Sequence, residues 1–450
     1  MSDIKATILI IIGIAGDLAV RKLLPAISRL AKAGVLPADF RIIGITRRSD
    51  IPLDRLFAQT ADATYLRRHI ELLTADVTEP GDYQRIASRL REIESDIGRP
   101  TQRLFYLSVP PQVSRPIIEL LGQSELAKIG DLKLLLEKPF GVDLASAEEL
   151  NQYIDRYFEP DQVYRIDHYL ARETSQNLIV FREHNPLFKH SWNRDFISRI
   201  EIIATETIGI EGRAVFYEQT GALRDWVQSH LLQLAALALM EAPPADRLEE
   251  VSARRLDALR QLHLPAGAAP TQHVRRGQYQ GYQAEVNNPG SQVETFVSLA
   301  LESDDPRWQG VPIILTAGKA MNQKYTGIKV SYRSVAGQAA NQLILRLLPD
   351  AGVELCLWAK RPGYDHVITK HPLKFDFQDY YANLPEAYEQ VLFHAFRADH
   401  SLFTSSDEVR ETWRILDPIQ RAWEMSGDDL ISYRPGARRE EILAGAEILL

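Results

Sequence analysis

The sequence has only one cysteine and only a short apolar run near its start, and each of these features excludes certain classes of protein. Its single cysteine, Cys356, excludes an intramolecular disulfide and a cysteine-based metal site, and is typical of a reducing compartment. The longest apolar run near the start, residues 8–14, is too short to span a bilayer, and Asp3 precedes it where a secretory signal would carry positive charge. We therefore expect a soluble cytoplasmic protein with no membrane partner.

The chain also lacks an excess of basic residues and has no repeats. The chain has 52 Lys and Arg against 60 Asp and Glu, a net charge of −8, and such a surface repels polyanions, so we expect no nucleic-acid partner. No fixed-period repeat, low-complexity tract or heptad pattern is present, which excludes solenoids and coiled coils. At 450 residues and 45% hydrophobic, the chain exceeds what one core usually organises, so two domains are expected.

The patterns of the two halves differ. Apolar runs at residues 6–12, 40–45, 103–108 and 131–136 alternate with helical segments at 18–34, 82–97 and 112–121, which predicts a Rossmann-type, doubly wound, dinucleotide-binding domain over residues 1–160. Beyond it, runs at 197–204, 293–301, 313–316, 327–332, 341–347 and 353–358 are joined partly by turns. They predict a larger α+β domain over residues 161–450, with a mainly antiparallel sheet.

A glycine turn, GIAGDLA at residues 13–19, separates the first predicted strand from the first helix. This is where a dinucleotide-binding fold brings backbone amides and a helix N-terminus to a pyrophosphate, although the usual third glycine is Ala19 here. A turn without a ligand is the alternative. The candidate cofactor-binding residues are Gly13, Ala15, Gly16, Asp17 and Leu18.

Arg47 and Arg48 follow the second strand, where an NAD site usually has a carboxylate for the ribose 2′-hydroxyl. Two guanidinium groups suit the 2′-phosphate of NADP, and a solvated basic loop is the alternative. Lys138, in Glu-Lys-Pro after the run 131–136, stands at a strand end, where it would reach both cofactor and substrate unless it is simply solvated.

The segment RIDHYLAR, residues 165–172, gathers different chemical groups in a short stretch. If it is helical, His168 and Arg172 lie on one face and suit an anionic ligand such as phosphate, while Asp167 serves another group. Further on, RDWVQSH at residues 224–230 opens a nearly all-apolar, buried-type helix. His230 would be a general base if Asp167 or Asp225 orients it; a core histidine bonded to a carbonyl is the alternative.

Together these motifs resemble the glucose-6-phosphate dehydrogenase family over almost the whole chain. The segments that carry the resemblance are GIAGDLAVRKLLP, LFYLSVPP, EKPFGVDLASAEELN, RIDHYLARE, NPLFKHSWNRD, GALRDWVQSHLLQL, RWQGVPIILTAGKAMNQK, PEAYEQVL and DEVRETW. The resemblance implies NADP-dependent oxidation of glucose 6-phosphate at C1, by a homodimer or homotetramer. It also implies that the domain over residues 161–450 serves substrate binding and oligomerisation.

The resemblance also implies residue roles. His230 is the implied general base and Asp167 the residue that orients it. The implied phosphate site consists of His168, Tyr169, Arg172, Lys319 and Lys324. The implied sugar-hydroxyl ligands are Lys138, Glu206 and Asp225, and Lys22 would lie near the join of cofactor and substrate.

The chain departs from the family pattern at a few positions. Ala15 replaces Ser or Thr, Arg172 replaces Lys, and Ser229 replaces Asn. Ala214 and Val215 replace a pair of glycines. Two other functions remain open: a related NAD(P)-dependent sugar or sugar-phosphate dehydrogenase, and a non-catalytic regulatory protein that binds NADP or a sugar phosphate.

Overall fold

The computed structural model describes residues 4–128, 130–244, 246–267, 269–335, 339–425 and 429–444. The strands, in chain order, are β1 (Ala6–Ile12), β2 (Phe40–Thr46), β3 (Ile70–Thr74), β4 (Thr101–Leu107), β5 (Asp131–Leu136), β6 (Val163–Ile166), β7 (Ile197–Thr205), β8 (Leu262–His263), β9 (Val274–Tyr279), β10 (Phe296–Ser303), β11 (Ile313–Gly318), β12 (Tyr325–Tyr332), β13 (Gln342–Leu348), β14 (Gly352–Lys360), β15 (Ile368–Asp376), β16 (Phe403–Thr404) and β17 (Leu430–Tyr433).

The α-helices are α1 (Leu24–Lys32), α2 (Leu53–Leu56), α3 (Thr64–His69), α4 (Pro80–Ile97), α5 (Pro111–Gln123), α6 (Glu125–Lys128), α7 (Leu144–Ile154), α8 (Glu173–His184), α9 (Pro186–Lys189), α10 (Ala214–Ala222), α11 (Leu232–Leu239), α12 (Val251–Gln261), α13 (Tyr282–Glu285), α14 (Phe377–Tyr380), α15 (Ala387–Phe396), α16 (Ser406–Met425) and α17 (Arg439–Leu443). π-Helical stretches occur at Ala19–Leu23 and Leu223–Leu231, and 3₁₀ turns at Pro160–Gln162, Leu248–Glu250 and Pro270–His273.

The chain forms two compact units. The first consists of Met1–Gly141, Ala145–Ala171 and Pro385–Val409, and the second of Val142–Leu144, Arg172–Leu384 and Arg410–Leu450. These bounds differ from the single boundary between residues 160 and 161 that the sequence pattern suggests. The physical reasons are that β6 completes the sheet of the first unit and that a late segment of the chain returns to its core.

The sheet of the first unit has the strand order β16-β6-β5-β4-β1-β2-β3. All its neighbouring strands are parallel except β16, which runs antiparallel to β6. The order 3-2-1-4-5-6 within it is that of a doubly wound dinucleotide-binding domain. Every residue of β1 is buried, as expected where helices cover both faces of a parallel sheet. The predicted class of the first domain is confirmed.

The returning segment Pro385–Val409 is part of this unit because its apolar side chains complete the core. The ring of Phe396 packs edge-on against Phe40 of β2, with centroids 5.4 Å apart. Gln102 of β4 donates a hydrogen bond from Nε2 to the Phe396 carbonyl, at 2.7 Å. The ammonium of the buried Lys133 in β5 donates to the Ala395 carbonyl, at 2.9 Å.

The second unit is built on a sheet with the strand order β15-β14-β13-β12-β7-β11-β10-β9-β17. Its neighbours are antiparallel except for the parallel pairs β7–β11 and β9–β17. Buried and half-buried residues alternate along β13, the pattern of a strand with one face on a core. The predicted mainly antiparallel sheet is confirmed. Among the described residues, no helix combines the length and apolar character needed to cross a membrane.

Candidate functional site

The glycine turn lies at the carboxyl end of β1, between the neighbouring strands β2 and β4. Gly13 has φ of +85°, and a Cβ there would lie 2.4 Å from the Ser108 carbonyl oxygen, so the position requires glycine. The Gly13 amide donates to the Ile45 carbonyl at 3.0 Å, and the Gly16 amide to the Gly13 carbonyl at 2.9 Å. The Val20 amide then bonds the Gly16 carbonyl at 3.1 Å, which begins the helix.

The side chains of the turn leave its outer surface open. Ala15 and Asp17 are exposed, and Leu18 is half-buried. Lys22 is exposed on the π-helical first turn of the helix. The buried hydroxyl of Ser108, directly after β4, has no hydrogen-bond partner among the described residues. The turn therefore combines a close backbone approach with an unsatisfied polar group, at the point where the strand order reverses.

Arg47 and Arg48 are exposed directly after β2, a position that fits either a 2′-phosphate site or a solvated basic loop. A carboxylate that sequence reasoning did not select, Asp76, follows the adjacent strand β3. Its Oδ1 accepts hydrogen bonds from the Thr78 hydroxyl at 2.7 Å and the Thr78 amide at 3.0 Å. These bonds lower the pKa of Asp76, and the charge of Arg47 contributes. The carboxylate of Asp76 therefore closes this loop.

Lys138 is half-buried directly after β5, beside a polar network. The hydroxyl of Tyr106 donates to Oε1 of Glu137 at 2.5 Å. Burial raises the pKa of Glu137, while the Tyr106 hydrogen bond, the Lys138 charge and Tyr388 oppose that increase. Burial also raises the pKa of Tyr106 well above its ordinary value. The geometry therefore holds a carboxylate next to Lys138 in the interior of the unit.

Asp167, His168 and Tyr169 follow β6. Asp167 is 3% exposed, and its Oδ1 accepts the Tyr169 amide at 2.8 Å. The half-buried His168 ring lies 4.9 Å from the Tyr169 ring and 6.3 Å from the Tyr388 ring, to which it is nearly parallel at 12°. Since parallel strands present their carboxyl ends at one edge, the glycine turn, the two arginines, Lys138 and this group all lie at the same edge of the first sheet.

Residues 165–172 do not form the helix on which a shared face of His168 and Arg172 would depend. β6 ends at Ile166, the chain then turns, and α8 begins only at Glu173. Arg172 has the extended backbone of an N-cap residue, with φ of −73° and ψ of 141°. Turn formation follows from the Asp167 carboxylate, which accepts a local backbone amide in competition with helix formation. His168 and Arg172 therefore do not share a helical face.

In the second unit, Glu206 follows β7 and Lys319 follows β11, which is its parallel neighbour. The Lys319 ammonium lies 2.5 Å from Oε2 of Glu206. The lysine side chain is 1% exposed and the glutamate side chain 22% exposed. Main-chain bonds fix the lysine: its amide donates to the Thr295 carbonyl at 2.9 Å, and its carbonyl accepts the Tyr433 hydroxyl at 2.8 Å.

Two aromatic residues that sequence reasoning did not select flank this lysine. Its Nζ lies 5.4 Å from the ring centre of Tyr217 and 5.9 Å from that of Trp226. Tyr217 is fully buried, and its hydroxyl has no hydrogen-bond partner among the described residues. Trp226 stands next to Asp225 in the sequence, and that proximity was the available signal. By contrast, the predicted Lys324 is exposed, just before β12.

Asp225, Trp226 and His230 lie on the π-helix Leu223–Leu231. Its i→i+5 bonding extends to the Leu232 amide, which donates to the Val227 carbonyl. In an α-helix, residues five apart are separated by about 140° around the axis; π winding brings Asp225 and His230 towards one face. His230 is 2% exposed, and its ring lies 6.3 Å from the Trp226 ring at 81°. The predicted pairing of His230 with Asp167 joins residues of different units and stays a prediction.

Ser229, Ala214 and Val215 also depart from the family pattern, and the structure shows the contacts or exposure of each. The hydroxyl of Ser229 donates to the Arg224 carbonyl at 3.2 Å, within the π-helix. Ala214 begins α10, and Val215 on its first turn is 79% exposed. Ser229 therefore bonds within its own helix, and Val215 lies on the surface of the segment that precedes the π-helix.

The strand order and glycine turn of the first unit define a dinucleotide-binding domain, which a second unit with a large mixed sheet follows. Comparison with known families agrees along the chain. Residues 10–177 match the NAD binding domain of glucose-6-phosphate dehydrogenase, and residues 179–443 match its C-terminal domain. The chain belongs to the glucose-6-phosphate dehydrogenase family, and the predicted resemblance is confirmed.

Individual relatives span nearly the same length. The chain is 35% identical to the glucose-6-phosphate 1-dehydrogenase of Chlamydia muridarum (strain MoPn / Nigg), over 98% of this chain and 95% of that protein. It is also 35% identical to that of Bacillus subtilis (strain 168), over 96% and 94%.

Solved structures agree. A glucose-6-phosphate dehydrogenase in complex with its substrate glucose-6-phosphate is similar at a TM-score of 0.89 and 28% identity, over 98% of this chain and 97% of that chain. The enzyme from Mycobacterium avium gives 0.83 and 32%, over 98% and 96%.

Proposed function

We propose that this protein is an NADP-dependent glucose-6-phosphate 1-dehydrogenase. It oxidises C1 of β-D-glucose 6-phosphate to 6-phosphogluconolactone, a reaction of the oxidative pentose phosphate pathway. The observation that carries the proposal is the match of both family domains over residues 10–177 and 179–443. The candidate residues support it, because they include a charged side chain for each charge-bearing role in this reaction.

The residues of the glycine turn fit a dinucleotide. Gly13 permits close backbone approach because it has no Cβ, and the Ser108 hydroxyl is buried without a partner among the described residues. In the proposal, Gly13 and Gly16 shape the turn, and the amides of Ala15, Asp17 and Leu18 at the helix N-terminus bind the pyrophosphate. Arg47 and Arg48 bind the 2′-phosphate, which makes NADP the preferred cofactor. The chemistry that a bound nicotinamide supplies is acceptance of the hydride that leaves C1.

His230 is proposed to take the proton of the C1 hydroxyl. Because His230 is buried, an uncompensated imidazolium there would be costly, so a carboxylate must stabilise the charge that forms. Asp167 is the proposed partner, since it is 3% exposed and held by the Tyr169 amide. Asp225, on the same π-helix, is assigned to a sugar hydroxyl together with Lys138.

The remaining residues are assigned to substrate binding. His168, Tyr169, Arg172 and Lys324 are proposed to bind the 6-phosphate, with Lys22 near the junction of substrate and cofactor. Lys319 contributes a cation. Its ammonium is held in place by Oε2 of Glu206, 2.5 Å away. Because Glu206 is the more exposed member of this pair, its second carboxylate oxygen is the one proposed to accept a sugar hydroxyl.

We also propose a cytoplasmic homodimer or homotetramer. The support is family membership and, for location, the single cysteine and the lack of a membrane-spanning helix in the described residues. Sedimentation of the purified protein tests the assembly, and a monomer at micromolar concentration would contradict it.

The test of the proposed function is the initial rate of NADPH or NADH formation, followed by absorbance. The substrates are glucose 6-phosphate, glucose and galactose 6-phosphate, each with NADP or NAD. We expect the highest kcat/KM for glucose 6-phosphate with NADP. A matched His230→Asn protein should still bind glucose 6-phosphate in calorimetry. Folded wild-type protein that binds both ligands without turnover would favour the regulatory alternative, and a preference for another sugar would favour a related dehydrogenase.

A further inference from the structure

The π-helix that carries Asp225 and His230 begins against a buried carboxylate. Glu294, two residues before β10, is 7% exposed. Its Oε1 accepts the Leu223 amide at 2.8 Å, and its main-chain carbonyl accepts the Ala222 amide at 2.9 Å. One residue therefore supplies acceptors to two consecutive amides at the point where α10 gives way to the π-helix.

Gly221 permits this contact. It interrupts α10 with φ of +62° and ψ of −177°, a conformation that residues with a Cβ rarely adopt. A Cβ on Gly221 would also lie 2.5 Å from Oε1 of Glu294. A cavity of about 280 Å³ lies beside Glu294 and is lined also by Arg224 and Arg276. With a methyl group on residue 221, the carboxylate has space to turn into the cavity, and Leu223 then loses its acceptor.

The contacts at the start of this helix influence its winding more than those at the start of an ordinary α-helix. The first amides of any helix lack partners within it, and π winding is rare because it is less favourable than α winding. Contacts outside the helix must therefore fix where the π winding begins. A slip of one residue, or a return to α winding, would rotate His230 by about 100° relative to the start of the helix.

We propose that Glu294 and Gly221 are positioning residues: they fix the start and winding of the π-helix, and thereby the direction of the Asp225 and His230 side chains. This inference rests on the proposed function for its catalytic consequence. Its structural content, an anchored π-helix, stands on the contacts of the second unit alone.

The hydrogen bond is the feature that carries this role, rather than the negative charge. Burial raises the pKa of Glu294, and the Leu223 amide and the charges of Arg224 and Arg276 act against that rise. A glutamine has the same length and keeps a side-chain oxygen for the Leu223 amide. Glu294→Gln is therefore the conservative variant, and Glu294→Ala removes the acceptor.

The experiment compares Glu294→Gln, Glu294→Ala and Gly221→Ala with a control, Gly281→Ala. Gly281 also has a positive φ, +98°, in the same unit, but a Cβ there meets nothing within 4 Å. For each protein, kcat, both KM values, the pH profile of kcat/KM and the urea unfolding midpoint are measured.

We expect Glu294→Ala and Gly221→Ala to lower kcat by about tenfold or more and to displace the limb of the pH profile that reports the base, since a misdirected general base loses part of its contribution. KM for NADP should stay within about twofold. Glu294→Gln should keep kcat within about threefold, and Gly281→Ala should lose stability without losing kcat.

Unchanged kcat in a folded Glu294→Ala protein would overturn the proposal, as would an equal loss in the glutamine and alanine variants. If Glu294→Ala does not fold, Gly221→Ala and Glu294→Gln decide the question. If the wild type fails to oxidise glucose 6-phosphate, the proposed function fails separately. Amide hydrogen exchange over residues 222–231 then tests the anchor: Gly221→Ala should accelerate it at least tenfold and Gly281→Ala should not, and equal exchange in the two variants would refute it.

Discussion

Replacing Lys319 by methionine leaves the Glu206 carboxylate without the ammonium that lies 2.5 Å from it. Replacing Glu206 by glutamine instead leaves a lysine that is 1% exposed, among the rings of Tyr217 and Trp226. Breaking a buried ion pair by removing one partner costs about 3–5 kcal/mol, because the other charge stays desolvated. The two single variants therefore test different degrees of burial within one pair.

The exposed fractions of the two side chains determine which single variant should lose more unfolding free energy. Glu206 is 22% exposed, so water reaches it, and Lys319→Met should cost less than about 2 kcal/mol of unfolding free energy. Glu206→Gln strands the fully buried ammonium, which keeps a cation–π contribution of about 1–2 kcal/mol, so about 3 kcal/mol is expected. The double variant carries neither charge and should return to within about 1 kcal/mol of the wild type.

Urea unfolding of all four proteins measures these differences, and kinetics on the same samples measures the site. The double variant should regain stability but keep a raised KM for glucose 6-phosphate, by roughly one to two orders of magnitude, since the lost contact is a charge-assisted hydrogen bond. A wild-type KM in the double variant would refute the assignment of the pair to substrate. Equal destabilisation by both single variants would refute the reasoning from burial.

The remaining predictions concern groups at the strand ends and one buried lysine. His230→Asn should reduce kcat by roughly a hundredfold to ten-thousandfold with substrate binding retained in calorimetry, and near-normal turnover would remove it from the mechanism. Alanine at both Arg47 and Arg48 should raise KM for NADP by about tenfold or more and leave KM for NAD unchanged, whereas equal losses would indicate a structural role. Arg172→Ala should raise KM for glucose 6-phosphate by about one to two orders of magnitude, with partial recovery in Arg172→Lys and no effect on activity towards glucose. Burial lowers the pKa of Lys133 to about 8, so the unfolded state binds more protons between that pH and the ordinary lysine value. Its stability contribution therefore rises with pH in that window, and Lys133→Met should flatten the rise in unfolding free energy between about pH 8 and 10.

Much of the first unit follows from the sequence because its signals are local. The bounds of β1 and β5 agree with the predicted runs 6–12 and 131–136, since continuous apolar residues closed by a turn or a charge are typical of buried parallel strands. The strand β3, Ile70–Thr74, has no such signal: its residues are half-buried or exposed, and pairing with β2 forms it. The edge strand β15, Ile368–Asp376, is mostly exposed and was missed for the same reason.

The residues of the candidate site also fall into those that a local sequence signal identifies and those that depend on tertiary contacts. Residues that follow predicted strands, such as Lys138, were found because a strand end is visible in the sequence. The contact of Lys319 with Glu206 depends on strand pairing between segments 113 residues apart, which no local pattern reports. The flanking Tyr217 and Trp226 were missed because an aromatic residue in a helical segment is usually part of the hydrophobic core, and the sequence does not distinguish the two cases.

The π-helix shows most clearly why a local pattern is insufficient. The apolar residues after His230 predict a helix, and the helix is present, but a 3.6-residue period is assumed in that prediction. With that period Asp225 and His230 diverge; with i→i+5 bonding they converge. What selects the second winding lies outside the segment, in a glutamate 64 residues beyond His230 that bonds the Leu223 amide across a glycine whose φ is +62°. The direction of the proposed base is therefore a tertiary property, and sequence reasoning can identify His230 without being able to orient it.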